Sequence, residues 1–137
     1  MKKRAFVLLN RMMNAVISRL RPQRFRGADL LLLTTTGRTS GTPRTTPLIY
    51  RPDGDRWIVV ASNGGADWEP GWWLNLRAGS PATIDIGGTI TPVIGTELSG
   101  DERTAMWSTL NDEVFDYQGY QDKVHRTIAV VALTPAP

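Results

Sequence analysis

Arg38 and Arg44 stand six residues apart in the stretch Thr36-Gly37-Arg38-Thr39-Ser40-Gly41-Thr42-Pro43-Arg44. Two guanidiniums, several hydroxyls and backbone N–H groups freed by glycine are the parts of an anion site, for phosphate or carboxylate. A solvated turn that happens to carry arginines is the alternative. A second candidate is Ala61-Ser62-Asn63-Gly64-Gly65-Ala66-Asp67, where small residues would let a flat ligand or a phosphate approach the backbone closely. Here a plain strand-to-helix connection is the alternative. Tyr117 and Tyr120 are spaced so that, on a helical turn, both phenols face one side. Trp72 and Trp73 read first as core, and second as neighbours of a cofactor. No Gly-x-Ser-x-Gly elbow and no Gly-x-Gly-x-x-Gly fingerprint occurs. His125 is the only histidine and has no recognised partner, and Asp112-Glu113 reads as a solvated pair. The remaining parts suit a bulky anionic cofactor that itself carries the reactivity.

Composition narrows the rest. The 137 residues suit one domain, and with no cysteine and one histidine no metal site is expected. The net charge of +3 hides an asymmetry: Lys2, Lys3, Arg4, Arg11, Arg19, Arg21, Arg24 and Arg26 precede the first acid, Asp29. The remainder carries 8 bases against 13 acids, which argues against a nucleic-acid partner. Phe6, Leu9, Met13, Val16 and Leu20 form one apolar stripe at helical spacing, so residues 1–26 read as a basic amphipathic helix. It is too short and interrupted for a membrane span and lacks a signal-peptide cleavage site. Such a helix lies on an anionic membrane surface or packs on the domain or a second subunit.

Residues 27–137 must position the candidate groups. Leu30 to Thr36 and Arg44 to Tyr50 read as strands of a hairpin, Gly37 and Gly41 taking positive φ at its tip and Pro47 marking an edge. Pro52-Asp53-Gly54-Asp55 signals a turn, followed by a strand over Arg56 to Ala61. Pro70 sits in the first turn of a helix over Gly71 to Ala78. Ala82 to Ile86 and Thr89 to Glu97 form a hairpin across Gly87-Gly88. Ser99-Gly100-Asp101-Glu102 is a capping-box pattern opening a helix to about Leu110, and Thr127 to Leu133 is the last strand. About six strands with short helices predict a mainly β fold, an antiparallel barrel with helical inserts.

Thr36-Gly37-Arg38-Thr39-Ser40-Gly41, Arg44-Thr45-Thr46-Pro47-Leu48, Ala61-Ser62-Asn63-Gly64-Gly65 and Gly71-Trp72-Trp73-Leu74-Asn75-Leu76 follow one another in order. Together they resemble the deazaflavin-dependent nitroreductase family, actinobacterial reductases that use coenzyme F420, the F420H2-dependent quinone reductases among them. The resemblance spans about Leu30 to Leu133. It implies a split β-barrel like that of the FMN-binding proteins, and hydride transfer to quinones, nitroaromatics or other electron-poor acceptors. By position it implies that Arg38, Thr39, Ser40 and Arg44 hold the cofactor's phosphate and acidic tail, and that Pro47 and Leu48 lie against its ring. Ala61, Ser62, Asn63, Gly64 and Gly65 would cradle ring and linker, with Trp72 or Trp73 shielding the ring. Ser62, Tyr117 and Tyr120 form the implied catalytic set, the phenols lining the substrate side. Thr39 and Asn63 depart from a pattern in which a cation is common, which implies weaker binding or a different ligand. The leader matches the N-terminus that some relatives place against the membrane. A cytoplasmic enzyme at the inner face of the cell membrane, as a homodimer, is the resulting expectation. An FMN-dependent barrel oxidoreductase and a non-catalytic carrier of cofactor or hydrophobic ligand are the competing readings.

Overall fold

The computed structural model describes residues 24–25 and 28–137. Its strands are β1 (Arg24–Phe25), β2 (Ala28–Thr36), β3 (Pro43–Ile49), β4 (Arg51–Asp53), β5 (Arg56–Val60), β6 (Ala82–Ile86), β7 (Thr89–Glu97) and β8 (Val130–Pro135). The helices are α1 (Gly71–Arg77), α2 (Gly100–Glu113) and α3 (Tyr117–Gln121), with a 3-10 turn at Asn63–Gly65. All strand pairs are antiparallel, in the order β1-β2-β6-β7-β8-β5-β4, with β3 on the other edge of β2. β3 and β4 are therefore at opposite ends of the sheet, yet only Tyr50 separates them in the chain. The sheet must curl until its edges meet, and this produces the expected barrel.

Alternation along the strands divides the core in two. Leu31, Leu33, Val59, Ile84, Val93, Val131 and Leu133 point inward, where Trp72, Trp73 and Leu76 of α1 join them. Ile58, Val60, Val130 and Ala132 point outward and are covered by Leu110 of α2 and Tyr117 of α3. β5 and β8 are thus buried on both faces, which explains their unbroken apolar runs. Among the described residues β7 is covered on one face only, and its outward Ile90 and Ile94 are exposed. α1 comes close to β7 because residue 95 is glycine: a Cβ there would lie 3.0 Å from Leu76 Cδ1.

Several local expectations change. The capping box does not form: Ser99 occupies the N-cap position without a side-chain bond, and Glu102 instead accepts from Arg56 Nη2 at 3.2 Å. Arg56 also binds Asp53, so the acid is drawn to an existing ion pair on β5 rather than to its own helix start. The last strand begins at Val130, not Thr127. Gln121 Oε1 accepts from Ile128 N at 2.8 Å and Gln121 Nε2 donates to Arg126 O at 2.7 Å, so side-chain bonds hold the backbone there. The Gly87-Gly88 turn forms as expected, with φ of 59° and 95°. The helix expected over 1–26 lies outside the described residues, except that Arg24–Phe25 is extended and pairs with Ala28 and Asp29.

Candidate functional site

The register brings the chemistry to one end of the barrel. Thr36 ends β2, Val60 ends β5, Ala82 begins β6 beside Thr35, and Val130 begins β8 beside Val60. The hairpin tip at 37–42 and the glycine loop at 61–66 therefore leave the barrel at the same end. α1, which follows the loop, crosses back to the tip.

At the tip, Gly41 has φ 70° as expected, but Gly37 does not take positive φ. Its requirement is space: a Cβ on Gly37 would lie 2.5 Å from Ser40 Oγ, which itself accepts from Thr42 N at 3.2 Å. The Ser40 hydroxyl is thus folded into the turn. Gly37 N donates to Thr42 O and Gly41 N to Gly37 O, both at 2.9 Å, closing the tip. Arg38 is anchored from α1. Asn75 Oδ1 accepts from Arg38 N at 3.1 Å and from Arg38 Nη1 at 2.9 Å, while Asn75 Nδ2 donates to Thr35 Oγ1 at 3.0 Å. Both Asn75 and Thr35 are buried. Arg44 is the cross-strand partner of Thr35 and projects from the same face of the hairpin. Arg51, Arg56 and Arg77 are paired with carboxylates; Arg38 and Arg44 pair with none among the described residues. Those two charges, with exposed Thr39, remain available to an anion.

Pro47 and Leu48 separate. Leu48 pairs with Leu31 and packs on the inner core, whereas Pro47 pairs with Leu32 and points to the opposite face of the edge strand. A ring in contact with both would have to lie along the free edge of β3.

In the glycine loop, Ala61 is fully buried and Ser62 is right-handed helical, and then Asn63, Gly64 and Gly65 take φ of 50°, 63° and 84°. Asn63 is the only non-glycine residue with positive φ among those described. Asparagine tolerates that conformation, and its Nδ2 also donates to Trp68 O at 3.1 Å. Lysine or arginine there would be strained, a physical reason for the departure seen in sequence. Gly65 N donates to Ser62 O and Ala66 N to Asn63 O. The N–H groups of Ser62, Asn63 and Gly64 have no acceptor among the described residues.

The two phenols do not share a role. Tyr117 is 5% exposed and packs in the outer core, and burial pushes its pKa up to about 12. It lines no open site. Tyr120 lies over the loop: a Cβ on Gly65 would be 2.9 Å from its Cδ1. Phe115 sits 5.3 Å from each phenol ring. Trp72 and Trp73 are buried in the inner core, as the first reading has it, and Trp73 Nε1 has no hydrogen-bond partner among the described residues. His125 is an exposed surface residue, 3.3 Å from Asp67 Oδ2. No cluster of metal-ligating side chains occurs among the described residues. Asn75 was not singled out as functional in sequence, although a lone carboxamide inside Trp72-Trp73-Leu74-Asn75-Leu76 is the kind of signal that marks a buried polar anchor.

Comparison with known proteins agrees with this fold. The family model for F420H(2)-dependent quinone reductases matches residues 2–135. An F420H(2)-dependent quinone reductase of Mycobacterium tuberculosis is 38% identical over 110 residues, covering 76% of this chain and 72% of its own. Among solved structures, an F420-H2 dependent reductase superposes with a TM-score of 0.67 at 32% identity, covering 76% of this chain and 92% of its own. Another, described as a domain-swapped dimer, gives a TM-score of 0.68 at 28% identity over 89% of this chain and 96% of its own. With its curled antiparallel sheet and two carboxylate-free arginines at the barrel mouth, the chain belongs to the F420H(2)-dependent quinone reductase family.

Proposed function

We propose that this protein is a coenzyme F420-dependent reductase that delivers a hydride to quinone, nitroaromatic or other electron-poor acceptors at the mouth of the barrel. The observation that carries the reading is the pair Arg38 and Arg44, left without carboxylates beside the buried Asn75 anchor. The residues fit an acidic cofactor: two cations and an exposed Thr39 at the tip, and free N–H groups in the loop across the barrel end. Arg38 and Arg44 would hold the phosphate and acidic tail, and the loop from Ala61 to Gly65 would receive the ring and linker. The reduced deazaflavin supplies the hydride when bound. Reduction of a quinone by hydride also requires one proton, and Tyr120 is the phenol placed beside the loop to donate a hydrogen bond to the acceptor oxygen, with the Ser62 hydroxyl as a second donor. Tyr117 has no part in this step, because its ring is enclosed. Leu48 and the inner core keep the deep side of the site apolar.

We further propose that two copies associate, as in the relative described as a dimer. No helix among the described residues is long and apolar enough to cross a membrane. We assign the enzyme to the cytoplasmic side, where the basic stretch before Asp29 would meet an anionic membrane surface. Fluorescence titration of the purified protein with oxidised coenzyme F420, with FMN in parallel, tests the reading. Saturable binding of the deazaflavin and oxidation of its reduced form by a soluble quinone are expected. Binding of FMN alone would move the protein to the flavin branch, and binding without turnover would make it a carrier.

A further inference from the structure

One arginine outside the assigned site is committed wholly to the backbone. Arg126, in the segment before β8, donates from Nη1 to Ala61 O at 3.0 Å, from Nη2 to Ser62 O at 3.1 Å, and from both Nη2 (3.0 Å) and Nε (3.2 Å) to Ala66 O. A single planar fork thus grips the glycine loop where it begins and where it ends. We propose that Arg126 is the positioning residue of this loop, holding it so that the N–H groups of Ser62 and Asn63 face hydrogen-bond-accepting oxygens of the bound deazaflavin. This rests on the reading of the loop as the cofactor's cradle.

The direction follows from peptide geometry. In a trans peptide the C=O and the following N–H point oppositely, and no cis bond occurs among the described residues. Because Ala61 O and Ser62 O point at the guanidinium, the N–H groups of Ser62 and Asn63 point away from it, and neither has another acceptor among the described residues. A cation on the carbonyl side polarises those same peptide groups and makes their N–H ends stronger donors. The grip also offsets the cost of the conformation it holds, with Asn63 at φ 50° at its centre.

Arg126 is itself fixed. Gln121 brackets it by donating to Arg126 O and accepting from Ile128 N, and Asp67 Oδ1 accepts from His125 N at 2.9 Å. Gln121 ends the same helix that carries Tyr120, whose ring rests on Gly65. The Tyr120 phenol and the cradle are therefore held by one interlocked unit.

Arg126→Lys tests this, because an ammonium cannot span three carbonyls in one plane. Three quantities are measured: the thermal midpoint without ligand, the Kd for oxidised coenzyme F420, and the backbone amide spectrum of the ligand-free protein. The expected result is a lowered midpoint with the fold intact at the assay temperature, a Kd raised by about tenfold, and shifts confined to the amides of 61–66 and those flanking position 126. For Arg126→Ala, guanidinium ion at low millimolar concentration should recover binding where equal sodium chloride does not. Unchanged amides in the loop, or wild-type affinity in Arg126→Lys, would overturn the proposal. So would shifts spread over the whole barrel with no rescue by guanidinium, which would make the role one of general stability. If the wild type itself fails to bind coenzyme F420 while the loop amides still move in Arg126→Lys, the deazaflavin reading falls and the positioning of the loop stands.

Discussion

The hairpin tip and the glycine loop leave the same end of the barrel and offer a ligand opposite things. The tip offers side-chain charge on an exposed turn, and its connection to the core runs through one buried carboxamide, Asn75. The loop offers backbone donors. It is held from behind by Arg126 and from one side by the Tyr120 ring. Long charged side chains suit a flexible acidic tail, which needs attraction more than exact placement. A rigid ring needs donors at fixed positions, and fixed donors need several restraints.

The largest effect is expected from Asn75→Ala. It leaves the buried Thr35 hydroxyl and the part-buried Arg38 N–H without their partner, at a cost of about 2 kcal/mol in unfolding free energy. Urea denaturation measures this, and the amides of 61–66 should stay in place. If they move as far as those of the tip, the two regions are one unit and the contrast fails. Arg44→Ala comes next. Because Arg44 has no ionic partner among the described residues, stability should be unchanged while cofactor binding weakens by about 1.5–2 kcal/mol, roughly ten- to thirtyfold in Kd. The loss should shrink at high salt, since the site is exposed. A salt-independent loss would mean that Arg44 shapes the tip rather than attracting the ligand.

The smallest effect concerns the packing behind the loop. Tyr117 has its pKa raised by burial, from 10.0 to about 12. A raised folded-state value means that this group's contribution to stability is complete below pH 10 and is lost as pH rises through about 12. Tyr117→Phe should therefore leave turnover and neutral-pH stability nearly unchanged and blunt the fall in stability over that alkaline window. Tyr120→Phe makes the counterpart, lowering turnover more than cofactor affinity. Equal behaviour of the two variants at neutral pH would remove the distinction between a packing phenol and a site phenol.

The elements were legible in the sequence where local chemistry decides the outcome. The leucine run and the threonines before Gly37 defined β2, and Gly87-Gly88 defined a turn that only positive φ can close. The capping box was misleading because Glu102 had a stronger distant partner in Arg56. Three-residue spacing placed Tyr117 and Tyr120 on one helix but could not say which the outer core would enclose: Tyr117 is buried in it, while Tyr120 packs against it and reaches Gly65. Gly37 reads as a conformational glycine, yet its φ is not positive, and a Cβ there would meet the Ser40 hydroxyl and Thr42 O. Arg126 was invisible for a different reason: its acceptors are main-chain carbonyls about sixty residues away, and a carbonyl has no letter in the sequence.

The one-residue joint at Tyr50 has a mechanical consequence. β3 and β4 are stapled covalently there, but no ladder of hydrogen bonds runs between β3 and the β4–β5 edge among the described strands. The seam is joined through the backbone at one end only, and its other end carries no ladder among the described strands. That free end is the mouth where the tip and the glycine loop stand. Closure along that seam rests on side chains, Leu48 and Tyr50 packing against the inner core, while β2 stays tied to β6 by its ladder and to α1 through Asn75.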